Sequence, residues 1–353
     1  MAEKVLEVKN LVVSFRTQQG TVQAVRDLSF DLYKGETLAL VGESGAGKTV
    51  TGRAVMGLLA NNAVLEKGEI LFRGQDLTKL KEKSLSRIRG RGIAMIFQDP
   101  FSSLNPIMRI GAQLTEAILA VRGSREQTAQ LSRKEAKAKA LQLLESVGID
   151  EAEKRLSQYP FELSGGMRQR VVIAIALAQD PEILICDEPT TALDVTIQAQ
   201  ILELLKKVRS ERDFSVLFIT HDMGVVADMA DRVAILYAGR LCEIGTAKEI
   251  FYQPEHPYTW ALLQAVPDPS GKGALSFIPG QPPDMLHPPM GDAFASRNPD
   301  ALPRDFEEQP PLFQLSETHF AATWRLENGA QAVSMPASLR KRIEEQTRGK
   351  GVR

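Results

Sequence analysis

The sequence of 353 residues is poor in cysteine, in net charge and in long apolar runs. Its two cysteines, Cys186 and Cys242, have no metal-ligand spacing, so we expect reduced thiols in a cytosolic protein. The 43 basic and 44 acidic residues nearly balance, which argues against nucleic acid as a partner. The longest apolar run, Val171 to Ala178, is far shorter than the ~20 residues of a membrane span. The N-terminus enters a strand pattern without a signal-peptide core, so membrane association would require a partner.

The length predicts two domains, and the 43% apolar content is enough for a real core. Composition changes after about Ile250, where a proline-rich region begins. Dense prolines exclude long helices and central strands. We therefore predict a first domain over residues 1–250 and a loop-rich second domain over residues 251–353, ending in a charged helix and a basic tail.

One stretch matches the pattern G-x-x-x-x-G-K-[ST], and it consists of Gly42, Glu43, Ser44, Gly45, Ala46, Gly47, Lys48 and Thr49. A strand pattern precedes it and a helix pattern follows it, which is the context that a phosphate loop needs. Its N–H groups would cradle phosphate oxygens, Lys48 would reach the β- and γ-phosphates, and Thr49 would hold Mg²⁺. The alternative is a glycine-rich turn with a surface lysine, which this context disfavours.

Three further buried-strand patterns end on polar side chains. The run from Ile183 ends on Asp187 and Glu188, placed to coordinate Mg²⁺ and to polarise an attacking water. The alternative is an acidic turn after a strand. A second run ends on His221, which could contact the γ-phosphate, although a lone histidine is more often structural. A third run, Ile93 to Phe97, ends on Gln98.

A helical insert is predicted from Ile110 to about Leu156, between β-rich pieces. Ser164, Gly165 and Gly166 then open an apolar helix, and their N–H groups could bind an anion. Taken alone, such a turn is more often a simple helix cap. Phe15, at the end of the first strand, could stack on an adenine ring or be a half-buried strand residue, and both interpretations stay open.

These motifs occur in an order that resembles the nucleotide-binding subunits of ATP-binding cassette (ABC) transporters, over roughly residues 4–250. The resemblance implies an α/β fold: a RecA-like P-loop NTPase core with an antiparallel β piece and a helical subdomain over about residues 99–178. It also implies a head-to-tail dimer with ATP and Mg²⁺ between the two cassettes.

The same resemblance implies a role for each motif residue. Phe15 would stack on the adenine, Gln98 would sense Mg²⁺ and the membrane partner, and Asp187 would serve the metal. Glu188 would act on the water and His221 would be the switch. Ser164, Gly165 and Gly166 would bind the γ-phosphate of the ATP held by the other subunit. Asp194 would make the contact across the dimer. Met167 departs from the glutamine of many members, with a small expected effect because neighbouring N–H groups do most of the binding.

The second domain resembles the C-terminal extension of oligopeptide and dipeptide importer ATPases. The matching residues are Tyr252 to Thr259, Leu262, Leu263, Pro267 and Ile278 to Pro283. Many relatives carry four cysteines there for an iron–sulfur cluster, and the corresponding residues are Asp292, Asn298, Asp305 and Thr323. These side chains cannot replace thiolates, so we predict no iron–sulfur cluster.

The resemblance therefore implies an ATPase, peripheral on the cytoplasmic face of the membrane, that powers oligopeptide import. Its expected partners are a homologous second ATPase in a heterodimer, two transmembrane permeases and an extracellular peptide-binding lipoprotein, with no nucleic acid. The alternatives are an importer of nickel or another small solute, a soluble ABC ATPase without a transport role, and a structural subunit with an inactive site.

Overall fold

The structure is a computed structural model. It describes residues 3–120, 131–191, 193–266, 277–329 and 334–350. One residue named in the predicted motifs, Pro267, lies outside these ranges, as does the end of the basic tail. Among the described residues, no helix combines the length and the apolar character needed to cross a bilayer.

A four-stranded antiparallel sheet has the order β2-β1-β4-β5. Its strands are β1 Lys4–Thr17, β2 Gly20–Tyr33, β4 Ala63–Phe72 and β5 Gln75–Asp76. The glycines at 68 and 74 predict a strand only from Glu69 to Phe72, but β4 begins earlier, at Ala63. Gly68 lies inside the strand with φ of +106°, where a Cβ would be 2.6 Å from the Leu11 Cα. The register of the β1–β4 pairing shifts at this point, and glycine allows the two strands to stay paired across the irregularity.

The central sheet has eight strands in the order β11-β12-β10-β9-β3-β8-β7-β6. They are β3 Thr37–Val41, β6 Ile93–Ile96, β7 Ile183–Asp187, β8 Ser215–Thr220, β9 Arg232–Tyr237, β10 Arg240–Thr246, β11 Phe313–Gln314 and β12 Phe320–Ala321. The strands from β9 to β6 run parallel, and every residue of β3, β7 and β8 is buried. Parallel strands covered on both faces read as continuous apolar runs, which is why the sequence revealed them.

The described residues also form α-helices. They are α1 Lys48–Val55, α2 Glu82–Ile88, α3 Pro100–Ser103, α4 Ile110–Leu119, α5 Arg133–Ser146, α6 Ala152–Leu156, α7 Gly165–Ala176, α8 Val195–Glu211, α9 Met223–Met229, α10 Ala247–Tyr252, α11 Pro257–Ala265, α12 Pro303–Glu307 and α13 Ala337–Lys350.

The predicted helical insert corresponds to α4, α5 and α6, which pack with α7 around one apolar cluster. Helix α5 begins with a capping box between Ser132 and Glu135. Its buried residues, Ala136, Ala140 and Leu143, recur at the spacing of one helix face. The helical pattern predicted for the insert is therefore confirmed over Arg133–Ser146.

The C-terminal region packs against the central sheet. Strand β12 pairs with β10, so it extends the same sheet. Tyr258 of α11 and Phe294 are buried against Tyr237 of β9, with ring centroids 4.6 Å and 5.4 Å from the Tyr237 ring. The boundary predicted near residue 250 falls within α10.

Candidate active site

The phosphate loop leaves the carboxyl end of β3 and leads into α1. Gly45 and Gly47 have φ of +83° and +91°, a region that favours glycine. A Cβ on Gly47 would lie 2.5 Å from the Ala24 carbonyl oxygen, and one on Gly42 would lie 2.1 Å from the Leu236 carbonyl oxygen. Sterics therefore require glycine at Gly42 and Gly47, and the loop can turn its N–H groups toward a bound anion.

Lys48 bridges the two ends of this loop. Its ammonium donates to the carbonyl oxygens of Gly42 at 2.7 Å and Glu43 at 3.0 Å, and the residue is only 5% exposed. Burial lowers the pKa of Lys48, although Glu188 and Asp187 act in the opposite direction. The charge is thus held in a dry site, where its attraction to a phosphate is stronger than in water.

Thr49 and Asp187 meet where α1 begins and β7 ends. The Thr49 hydroxyl donates to Oδ1 of Asp187 at 2.8 Å, and Asp187 is 1% exposed. Burial raises the pKa of Asp187, and this effect outweighs the Thr49 bond and the charge of Arg53, which act in the opposite direction. A hydroxyl and a carboxylate are hard oxygen ligands suited to Mg²⁺, which takes few protein ligands when nucleotide phosphates supply others. The donor set therefore fits a phosphate-bound magnesium ion.

Glu188, the residue after Asp187, is the centre of a hydrogen-bond network. Its Oε2 accepts bonds from Gln98 at 3.0 Å and from the Thr191 hydroxyl at 2.9 Å, and its Oε1 lies 3.1 Å from Nδ1 of His221. Burial raises the pKa of Glu188, but the bonds from His221 and Thr191 outweigh burial and the pKa is lowered. The backbone is left-handed, with φ of +46°, a strain typical of functional sites. The carboxylate is therefore ionised and held in one orientation.

The phosphate loop, Gln98, Glu188 and His221 line one cleft of about 900 Å³. The sequence predicted all of them, because each follows a buried strand and parallel strands end at one edge. Two other predicted groups are not among the residues that line the cleft. Among the described residues that line the cleft, none belongs to the Ser164–Gly166 turn, and Phe15 is absent from them as well.

The turn of Ser164, Gly165 and Gly166 begins α7. The Ser164 hydroxyl caps the helix by accepting from the Met167 N–H at 3.3 Å. A Cβ on Gly166 would lie 2.8 Å from a methyl carbon of Ile197 in α8, so this glycine permits close helix packing. Asp194 caps α8 through the Ile197 N–H at 3.0 Å. Ser164, Gly166 and Asp194 therefore each have a local structural role within their own chain.

Sequence reasoning missed the contribution of the C-terminal region to this cleft. Leu262, Phe277, Ile278 and Pro282 line it beside the phosphate loop. Arg297 forms an ion pair with Glu43 inside the loop. Ile278 and Pro282 belong to the stretch that resembles the C-terminal extension of importer ATPases, but no local sequence pattern indicated Arg297.

Of the residues at the four cluster positions, Asn298 is half-buried and the other three, Asp292, Asp305 and Thr323, are buried. The Asp292 N–H donates to the Asp305 carbonyl oxygen at 2.7 Å. Burial raises the pKa of Asp292 to about 6. Carboxylate and hydroxyl oxygens do not fit an iron–sulfur cluster, which needs thiolates. Both cysteines of the chain, Cys186 and Cys242, are buried and unpaired.

Comparisons with known proteins find two matching family models and several relatives. The ABC transporter family model matches residues 25–191, and the model for the oligopeptide/dipeptide transporter C-terminal region matches residues 242–304. The dipeptide transport ATP-binding protein DppD of Lactococcus lactis subsp. cremoris is 56% identical over 333 residues, covering 94% of each chain. The oligopeptide transport ATP-binding protein OppD of Bacillus subtilis is 52% identical over 345 residues, covering 97% of this chain and 94% of that one.

Solved structures give the same fold. The ATP-binding cassette MJ0796, solved as a dimer in a post-hydrolysis state with ADP and phosphate, has a TM-score of 0.60 at 27% identity. It covers 69% of this chain, and 98% of the cassette is matched. The predicted α/β architecture with a RecA-like P-loop core is thus confirmed. On this evidence the chain belongs to the ABC ATPases, in the branch of oligopeptide and dipeptide transport ATP-binding subunits.

Proposed function

We propose that this chain hydrolyses ATP to power oligopeptide import, as a peripheral subunit on the cytoplasmic face of the cell membrane. The observation that carries the proposal is the oriented Glu188 carboxylate beside a phosphate loop, in a chain with a peptide-transporter type of extension. The relatives named for dipeptide and oligopeptide transport support the choice of substrate.

The polar residues of the site each have a part in this chemistry. The loop N–H groups and Lys48 bind and orient the β- and γ-phosphates. Thr49 and Asp187 would hold Mg²⁺, which when bound offsets charge on the phosphates. Glu188 accepts a hydrogen bond from the attacking water and aligns it with the γ-phosphate. Gln98 and His221 keep this carboxylate in place through their bonds to it.

The site is completed by a second, homologous cassette in a heterodimer. The Ser164–Gly166 helix tip does not line the cleft of its own chain, and Ser164 is exposed, so this helix N-terminus is available for ATP held by the partner. The dimeric state of the MJ0796 cassette supports this arrangement. Phe15 stacks on the adenine, and Asp194 contacts the partner cassette. Two permease subunits and an extracellular peptide-binding lipoprotein complete the transporter.

A transport assay tests this function. A strain that lacks the chain should fail to take up a labelled oligopeptide, and the wild-type chain should restore uptake. A Lys48→Ala chain should not restore it, because loss of one charged phosphate ligand costs about 10²-fold or more in turnover. Uptake of nickel instead of peptide, or full peptide uptake without the chain, would refute the proposed substrate.

A further inference from the structure

Arg297 connects the C-terminal region to the phosphate loop across 254 residues of sequence. Its Nη1 and Nη2 donate to Oε2 and Oε1 of Glu43, at 2.5 Å and 3.1 Å. Nη1 also donates to the Tyr237 hydroxyl at 3.0 Å. Nε and Nη2 donate to the carbonyl oxygens of Pro279 at 2.7 Å and Ile278 at 3.3 Å. These bonds use every N–H donor that a guanidinium carries, so its position is fully determined.

The partners of Arg297 lie on two sides of the cleft. Glu43 belongs to the phosphate loop, whereas Ile278 belongs to the wall that the C-terminal region contributes. A second bond from the same region reaches the loop, since the Glu43 N–H donates to the buried Tyr258 hydroxyl at 2.9 Å. The backbone and the side chain of Glu43 are thus both held by residues outside the loop.

The ion pair between Arg297 and Glu43 also neutralises a negative charge in the phosphate loop. Glu43 places a carboxylate in a loop built to receive a polyanion, and an unpaired carboxylate there would repel phosphate. Burial lowers the pKa of Arg297, but its bonds to Glu43 and Tyr237 outweigh burial and raise the pKa, so the guanidinium stays charged. A lysine would supply the charge without the planar fork that reaches the carboxylate and two carbonyls together.

We propose that Arg297 is a positioning residue through which the C-terminal region holds the phosphate loop in its ATP-binding geometry and neutralises Glu43. This role rests on the proposed function of the cleft as the ATP site. It makes nucleotide affinity depend on the C-terminal region, although the residues that bind phosphate all lie in the cassette.

The test is the dissociation constant of MgATP for the full-length chain, measured by titration calorimetry together with the thermal unfolding midpoint. Arg297→Gln should weaken binding about tenfold, the effect of one uncompensated charge near the phosphates. Arg297→Lys should fall between this variant and wild type. The Glu43→Gln, Arg297→Gln double variant should bind more tightly than Arg297→Gln, because it lacks the unpaired carboxylate. A general loss of stability would not produce that rescue.

Two further variants complete the design. Arg304→Gln is the matched control, because Arg304 lies in the same region and pairs with Glu308 and Glu327 away from the cleft. It should leave ATP affinity unchanged. Tyr258→Phe removes only the hydroxyl that accepts the Glu43 N–H, and it should weaken binding about threefold even if Arg297→Gln does not fold.

Wild-type affinity in folded Arg297→Gln, or equal losses in that variant and the double variant, would overturn the role of Arg297. Where Arg297→Gln is unfolded, wild-type affinity in Tyr258→Phe would overturn the proposed hold of the C-terminal region on the phosphate loop. A wild-type chain that binds no ATP at all would overturn the assignment of the cleft itself, and this result is distinct from the others.

Discussion

Replacement of Glu188 by glutamine removes the carboxylate charge while keeping the shape of the side chain. The amide oxygen can still accept from Gln98 and Thr191, which both donate to Oε2 in the wild-type chain. The amide nitrogen then faces Nδ1 of His221, which must become an acceptor. The network therefore survives with one changed tautomer, and the variant should fold and bind ATP normally.

Turnover should fall steeply, because an amide cannot accept a proton from water. General-base assistance contributes about 10²- to 10⁴-fold. Three hydrogen-bond partners preorganise the wild-type carboxylate, so we expect a loss of about 10³-fold or more, or about 4 kcal/mol in the activation barrier.

The assay is phosphate release by the assembled transporter at saturating MgATP, with nucleotide binding measured in parallel. Glu182→Gln is the control, since Glu182 is paired with Arg73 just before β7 and outside the cleft. Turnover in Glu188→Gln within threefold of wild type would refute the role of Glu188. Loss of ATP binding together with turnover would show instead that the network itself had failed.

Two further outcomes are expected. Thr49→Ala should raise the Mg²⁺ concentration for half-maximal ATPase activity about 10- to 100-fold, because Asp187 loses its orienting hydroxyl, whereas Thr49→Ser should not. Burial raises the pKa of Glu249, but bonds from Ser316, Thr246 and Thr318 outweigh burial and lower the pKa to about 2. A lowered carboxylate pKa stabilises the fold above the unfolded value of 4.5 and loses this effect as pH falls toward 2. In urea unfolding, Glu249→Gln should therefore be destabilised at pH 7 and converge on wild type near pH 2; a pH-independent difference would contradict this.

Much of the site was predictable because its signals are local. Glycines in the loop, a lysine at the helix start and carboxylates after a buried strand occupy fixed positions in sequence. The parallel sheet then brings the ends of β6, β7 and β8 to one edge, so Gln98, Glu188 and His221 meet by topology alone.

The remaining features depend on contacts between distant residues, which local patterns do not encode. The Arg297–Glu43 pair joins residues far apart in sequence, and a single arginine in a loop carries no periodic signal. Strand β12 has two residues, too few for alternation to be recognised, and its pairing with β10 depends on packing around it. The extent of β4 was missed because a glycine that usually ends a strand here accommodates an irregular register.

The central claim is that two chains share each ATP, and a structure of the assembled complex with a non-hydrolysable ATP analogue tests it most directly. We predict the γ-phosphate between the phosphate loop of one cassette and the Ser-Gly-Gly helix tip of the other, with Ser164 of this chain facing the partner's nucleotide. An analogue enclosed entirely by one chain, with both helix tips remote from it, would contradict the account.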